Sequence, residues 1–472
     1  MNDFLVLMKQ ELVVTLIIFI LLFIKVGSKE WKNEKLLNTV NVLLLLNFAA
    51  GCIGNAEGSL FNEMFIGNAI TALEKNILNL GTFIISLQSY AWLKNHKHVA
   101  EFYMLLLSTL LGMFLMISSG NLLMFYLGLE LSSIPLAALA NFDLEQRRSS
   151  EAAFKYIISS AFSSGLLLFG ISLVFGTTGT LVFSELSAAL NGSPLQLFAF
   201  ILLIAGFAFK ISAVPFHLWT ADVYEGAPAS VTSYLSVISK GAVLFVFVSV
   251  LYKVFRPLAE TWYHLLFVVS AATMIVGNLF AIRQNNLKRF LAFSSIAQVG
   301  FVLIGISGSS QTGSAAVVYF ILIYVFSNLA AFGVVSLISA LTNKETIDDY
   351  KALYKTNPLL SWALTIALFS LAGVPPTAGF FGKFFLLIAG TGKGLVLSYV
   401  WITIAALNLI VSFYYYLKIV KAIFMDSNTT PIQRLQIPAV SKLALFICLA
   451  GIVLTGLFSF VYEYIYSLSP VF

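Results

Sequence analysis

The chain has 472 residues, 59% of them hydrophobic and only 10% charged, with a mean hydropathy of +0.94. Soluble chains are about 25% charged, and apolar runs of about 20 residues match the thickness of a bilayer, so the composition excludes a soluble domain. The net charge of +6 falls in short segments between apolar runs, with no basic stripe among exposed aromatics, which excludes a nucleic-acid surface and reads instead as topology signals.

The apolar pattern predicts an all-α, polytopic membrane protein with about fourteen spans. In chain order they cover residues 4–24, 36–53, 70–92, 102–118, 121–140, 152–175, 195–219, 231–252, 262–282, 287–306, 315–341, 362–389, 397–424 and 442–464. The first run lacks a basic leader region and a small-residue cleavage site, and is expected to be retained as a helix. With the N-terminus outside, Lys9, Lys75, Lys253, Arg256 and Lys393 fall on the outer side and Lys210, Lys240 and Lys383 within the membrane. The other nineteen of the 27 basic residues fall inside, so both termini are expected to face outward.

A weak internal repeat divides the chain. At an offset of 165, Asn121-Leu122 matches Asn286-Leu287 and Ser233-Tyr234 matches Ser398-Tyr399; at 160, Val214-Pro215 matches Val374-Pro375. A competing match at 135, pairing 159–172 with 294–307, breaks the proline correspondence. The expected units are an N-terminal three-helix segment (1–99), a five-helix repeat (100–255), a second five-helix repeat (256–425) and a C-terminal helix (426–472). Five helices per unit, an odd number, make the repeats inverted.

Charges inside the spans carry the functional signal. Lys210 (in Ala205–Pro215), Lys240 (in Leu235–Leu244) and Lys383 (in Gly379–Phe385) sit mid-span, and Glu130 is the one acidic residue placed near a span centre. A charge at such depth costs about 2.5–3.5 kcal/mol on insertion scales. Three lysines and one carboxylate cannot all pair as static glue. A lysine taken out of water binds its proton less firmly, and a nearby carboxylate tightens it again, so a moving partner switches it between holding and releasing a proton. Pro215 follows Lys210 by five residues and Pro375-Pro376 precede Lys383, predicting helices broken beside a buried lysine in both repeats. His217, just past the first break, has the chemistry of a proton relay, although a lone histidine is as readily a core residue. Asp222 and Glu225 are placed at the aqueous end of that helix; His96, His98 and His264 at loops or ends receive no role. Cys52 and Cys448 lie far apart in apolar runs and serve as core filler. Gly390–Gly394 matches no nucleotide loop, and no Cys/His cluster suits zinc, haem or iron–sulfur, so no cofactor is expected in this chain.

The run Phe209-Lys210, Val214-Pro-Phe-His-Leu-Trp219, Asp222-Val-Tyr-Glu-Gly-Ala-Pro228 and Val237-Ile-Ser-Lys240 closely resembles the proton-translocating, antiporter-like membrane subunits of respiratory complex I (NADH-quinone oxidoreductase). The branch it looks most like is subunit N, because the chain ends after about fourteen helices without a long lateral helix and carries Lys383 rather than glutamate in the second broken helix. The resemblance implies a Glu130–Lys210 pair, a central Lys240 and an exit Lys383. It also implies work in a bacterial inner (plasma) membrane, among other membrane and peripheral subunits that hold NADH, FMN, iron–sulfur clusters and quinone. Ala221 and Ser230 stand where such proteins commonly have proline. The alternative is a subunit of a multisubunit cation/proton antiporter, in which the resemblance puts an acid at the Lys383 position. A purely structural membrane scaffold leaves the buried lysines unexplained.

Overall fold

The computed structural model describes residues 2–27, 31–54, 57–392 and 394–470. Lys29 and Lys393, counted above among the topology signals, lie outside the described residues. The main helices are α1 (Lys9–Val26), α2 (Asn33–Cys52), α3 (Ala69–Gln88), α4 (Val99–Ile117), α5 (Leu122–Ala140), α6 (Arg147–Thr178) and α7 (Pro194–Ile211). After them come α8 (Leu218–Gly226), α9 (Ala229–Tyr234), α10 (Lys240–Lys253), α11 (Ala259–Ile282), α12 (Leu287–Ile306) and α13 (Ser310–Thr342). The chain closes with α14 (Pro358–Ala372), α15 (Ala378–Thr391), α16 (Val396–Phe424) and α17 (Ala439–Leu457), beside several pieces of one to three turns.

The all-α architecture of a multi-span membrane protein is borne out. Among the described residues, eleven helices are long and apolar enough to cross a membrane, and α14 and α15 are shorter apolar helices. One feature is not helical: β1 (Gly58–Leu60) and β2 (Phe65–Gly67) form a small antiparallel hairpin with Gly58 opposite Gly67. Six expected spans are interrupted: 4–24 at Met8, 70–92 at Ser89, 442–464 after Leu457, and the three that hold the buried lysines. The run 195–219 breaks into α7 and α8, 362–389 into α14 and α15, and 231–252 contains a π-helical turn, Leu235–Ser239, immediately before Lys240. Apolar content marks a span, but not where its hydrogen-bond ladder is re-phased.

Local geometry repeats along the chain at the offset seen in the sequence. Asn121 caps α5 by accepting from the Met124 amide, and Leu122 N–H donates to Leu181 C=O. At 165 residues' remove, Asn286 caps α12 by accepting from the Lys288 and Arg289 amides, and Leu287 N–H donates to Glu345 C=O. Gly112 lets α4 approach α5 so closely that a Cβ there would lie 2.5 Å from Ser132 N, and Gly277 does the same for α11 on α12, 2.6 Å from Ala297 N. Both glycines and both partners are again 165 apart.

The breaks also correspond. Ser212 and Gly373 both take left-handed conformations, φ 64° and 86°. Ala213 N–H then reaches back to Ala208 C=O at 2.8 Å, and Val374 N–H to Phe369 C=O at 3.0 Å. This pairs Pro215 with Pro376, so the offset at the break is 161, one more than the two-residue match in the sequence. The Val214–Pro215 and Pro375–Pro376 bonds are both cis.

Lys75, expected on the outer side, is enclosed by helices rather than facing water: it is 2% exposed on α3 and in ion contact with Glu11 of α1 at 2.5 Å. Glu11 and Glu74 lie near helix ends yet are buried, so Glu130 is not alone as an acid enclosed by the helices.

Candidate functional site

Each of the three lysines singled out is buried, at 7% exposure for Lys210 and 3% for Lys240 and Lys383. None lies in the middle of an unbroken helix. Lys210 is the penultimate residue of α7, Lys240 follows the π-turn, and Lys383 lies in the half-helix after the second break. Breaking the ladder frees carbonyls, and buried polar groups must then find partners within the protein.

Lys210 Nζ donates to Ser133 Oγ of α5 and Ser160 Oγ of α6, both at 2.7 Å. Glu130 lies one turn before Ser133 on α5. It acts on Lys210 electrostatically but is not in ion contact with it: the two hydroxyls occupy the ammonium, and Glu130 Oε1 is buried with no hydrogen-bond partner among the described residues. The expected Glu130–Lys210 pair is therefore a through-space one.

Lys240 Nζ donates to Ser295 Oγ of α12 at 2.8 Å and lies 5.2 Å from the centre of the Tyr224 ring, whose quadrupole attracts a cation. Lys383 Nζ donates to the Leu371 carbonyl at 2.7 Å and the Ala372 carbonyl at 3.3 Å, at the end of α14. The break offset of 161 makes Leu371 the counterpart of Lys210, so the second repeat presents a freed carbonyl where the first presents an ammonium. No carboxylate is in ion contact with any of the three lysines among the described residues.

Gln298 joins the second and third lysines, and the sequence reading missed it. Its Nε2 donates to Leu371 C=O at 3.0 Å, the same carbonyl that Lys383 uses, and to Tyr416 Oη at 3.3 Å. Its Oε1 is buried without a partner among the described residues. Two small cavities, of about 20 Å3 beside Lys240 and 10 Å3 beside Lys383, share Gln298, Phe320 and Tyr324 as walls. That is room for about one water at the first, and the orphan amide oxygen is a ready partner for it. The only hint in the sequence was a lone amide in an apolar helix.

His217 is 8% exposed at the start of α8, with Nδ1 lacking a partner among the described residues, and no contact joins it to a buried lysine. Asp222 and Glu225 lie at a half-exposed helix end, as expected, but within a charge cluster. Asp222 pairs with Lys155 and Arg289, both at 2.7 Å, and Glu225 with Arg289 at 2.9 Å, tying α6, α8 and α12 together. Nearby, Glu345 pairs with Lys288 at 3.1 Å and Arg148 at 3.2 Å. Burial works to raise the Glu345 carboxyl, but Lys288, Ser339 and Arg148 together hold it below the usual carboxylate range. These groups border an open polar vestibule of about 500 Å3, with His96, Asp143 and Ser230 also in its wall. Burial lowers His96 and raises Asp143 from their ordinary values. Cys52 and Cys448 form no disulfide, and among the described residues no three His, Cys, Asp or Glu side chains converge as metal ligands.

Comparison with known proteins shows the family and the fold. The family described as NADH:quinone oxidoreductase/Mrp antiporter, transmembrane, matches residues 119–411. NADH-quinone oxidoreductase subunit N of Phocaeicola vulgatus is 45% identical over 456 residues, covering 95% of each chain. Subunit N of Azobacteroides pseudotrichonymphae is 42% identical, covering 99% of this chain and 98% of its own. Among solved structures, a chain of respiratory complex I from Thermus thermophilus with bound aureothin superposes with a TM-score of 0.81 at 28% identity, covering 95% of this chain and 97% of its own. A chain of the Mrp complex from Dietzia shares the fold, with a TM-score of 0.84 at 20% identity over 97% and 96%. This chain belongs to the NADH:quinone oxidoreductase/Mrp antiporter transmembrane family, among the NADH-quinone oxidoreductase N subunits.

Proposed function

We propose that the chain is a proton-translocating membrane subunit of a bacterial complex I, with NADH oxidation and quinone reduction carried out by other subunits. FMN, iron–sulfur clusters and quinone are assigned to those subunits, and the enzyme's translocase activity belongs to the assembly. In this reading 100–255 and 256–425 are two inverted five-helix units, flanked by the segments 1–99 and 426–472. Fourteen helices span the inner membrane with both termini outside.

The observation that carries the reading is the coordination of the three lysines. Each ammonium is buried and held by neutral oxygens rather than by a touching carboxylate, so deprotonation breaks no ion contact. Glu130 is the electrostatic lever on Lys210; Lys240 is the central carrier; Lys383, anchored on the freed Leu371 carbonyl, is the exit carrier, with Gln298 between them. His217 relays protons at the first break. A static anchoring role would instead place an acid in contact with each lysine, because an unpaired buried charge is costly. Purification of the native assembly tests the reading: flavin- and iron–sulfur-bearing partners are expected, and an assembly without them would reject complex I in favour of an antiporter.

A further inference from the structure

We propose that Glu74 is a proton-transfer residue on a second release branch beside the exit carrier Lys383, taking protons from Lys240 and releasing them on the side of the membrane opposite the polar vestibule, at the face where α10 ends. The proposal rests on the reading of Lys240 as a proton carrier.

α10 carries a lysine at each end, Lys240 and Lys253. Beside its far end is a cavity of about 20 Å3 whose wall is half polar, from Asn68, Thr71, Glu74, Ser249, Lys253 and Ser314, and half apolar, including Phe245 and Val248 of α10 itself. Glu74 is 7% exposed, and no hydrogen bond or ion pair engages its carboxyl among the described residues. The charged groups acting on it are Lys253 and Lys75. Lys75 is already taken by Glu11. The two neighbouring acids thus differ: Glu11 is locked in contact and fastens α1 to α3, while Glu74 faces a water-sized space. A buried carboxylate without direct partners is expensive unless water or a proton satisfies it, and the space admits about one water.

Position supports a transfer role. Ser249 lies nine residues beyond Lys240 on the same helix, about 13 Å along its axis. The residues between them, 241–248, are all apolar or glycine, and Gly241 packs against Leu78 and Ile321. Two proton-binding stations divided by an apolar stretch suit a pump, because a continuous polar wire would leak. When the stretch hydrates, Lys240 loses a proton, Glu74 carboxylate becomes a carboxyl, and Glu74 then passes the proton to water at this face, with Lys253 favouring its ionised form.

The test uses the assembled complex in sealed membrane vesicles, with Glu74→Gln, Glu74→Asp and Lys240→Ala measured beside wild type. Readouts are intact complex, electron transfer, protons moved per electron, and the infrared carboxyl band on acidification. Glu74→Gln is expected to assemble, to lower the proton-to-electron ratio about twofold or more, and to remove a carboxyl band; Glu74→Asp is expected to keep most of the ratio. If Glu74→Gln does not accumulate, Ser249→Val, which fills the cavity and leaves the carboxyl, carries the test: a lowered ratio supports the proposal and an unchanged one overturns it. A full ratio and an unchanged band in Glu74→Gln, with Lys240→Ala defective, would overturn the role of Glu74 alone. A full ratio in Lys240→Ala would overturn the underlying reading as well.

Discussion

At the scale of single residues, the lysines were legible because a charge in an apolar run is costly and therefore conspicuous. Their partners were not. Ser133, Ser160 and Ser295 are ordinary small residues in the sequence, and only helix packing aims them at an ammonium. Gln298 was passed over for the same reason, although it binds the carbonyl that Lys383 binds. Gln298→Leu keeps roughly the same volume while removing both the donor and the orphan acceptor. It is expected to assemble normally and transfer electrons, with a several-fold lower initial rate of proton movement. Proton uptake measured at matched electron transfer checks this; an unchanged rate would remove Gln298 from the path.

At the scale of elements, prolines announced the two breaks, but not the conformations of Ser212 and Gly373 or the π-turn before Lys240. The repeat was readable at Asn121 and Asn286, yet the closer match, Gly112 on Ser132 and Gly277 on Ala297, depends on interhelical distance and leaves no two-residue signature. Gly112→Val and Gly277→Val should each force α4 from α5 or α11 from α12, costing about 1–3 kcal/mol by overpacking. A lowered thermal midpoint of the complex in both variants is expected, and no change in either would contradict the close approach. The Glu345 cluster has a signed pH dependence. Its carboxyl is held below the ordinary value, so its stabilisation is full above the unfolded value, about 4.3, and disappears as pH falls through the folded one. Glu345→Gln should cost roughly 3 kcal/mol at pH 7, the lower end for removing one partner of a buried pair, and progressively less in acid. Heat inactivation of wild type and variant should therefore differ at pH 7 and converge below about pH 4.

At the scale of the whole molecule, charge asymmetry and span count give a topology that reporter fusions can check directly. Fusions in the loop at Lys351 and after the C-terminus are expected to report opposite sides, and the same side for both would contradict it. The central claim, that Lys210 and Lys383 work by exchanging protons rather than by carrying a fixed charge, is tested most directly by arginine at both positions. Arginine keeps the positive charge but does not deprotonate at working pH. Proton uptake into vesicles should fall severely in the Lys210→Arg and Lys383→Arg complexes while the assembled enzyme remains detectable; full pumping with arginine at both sites would show that these lysines are structural.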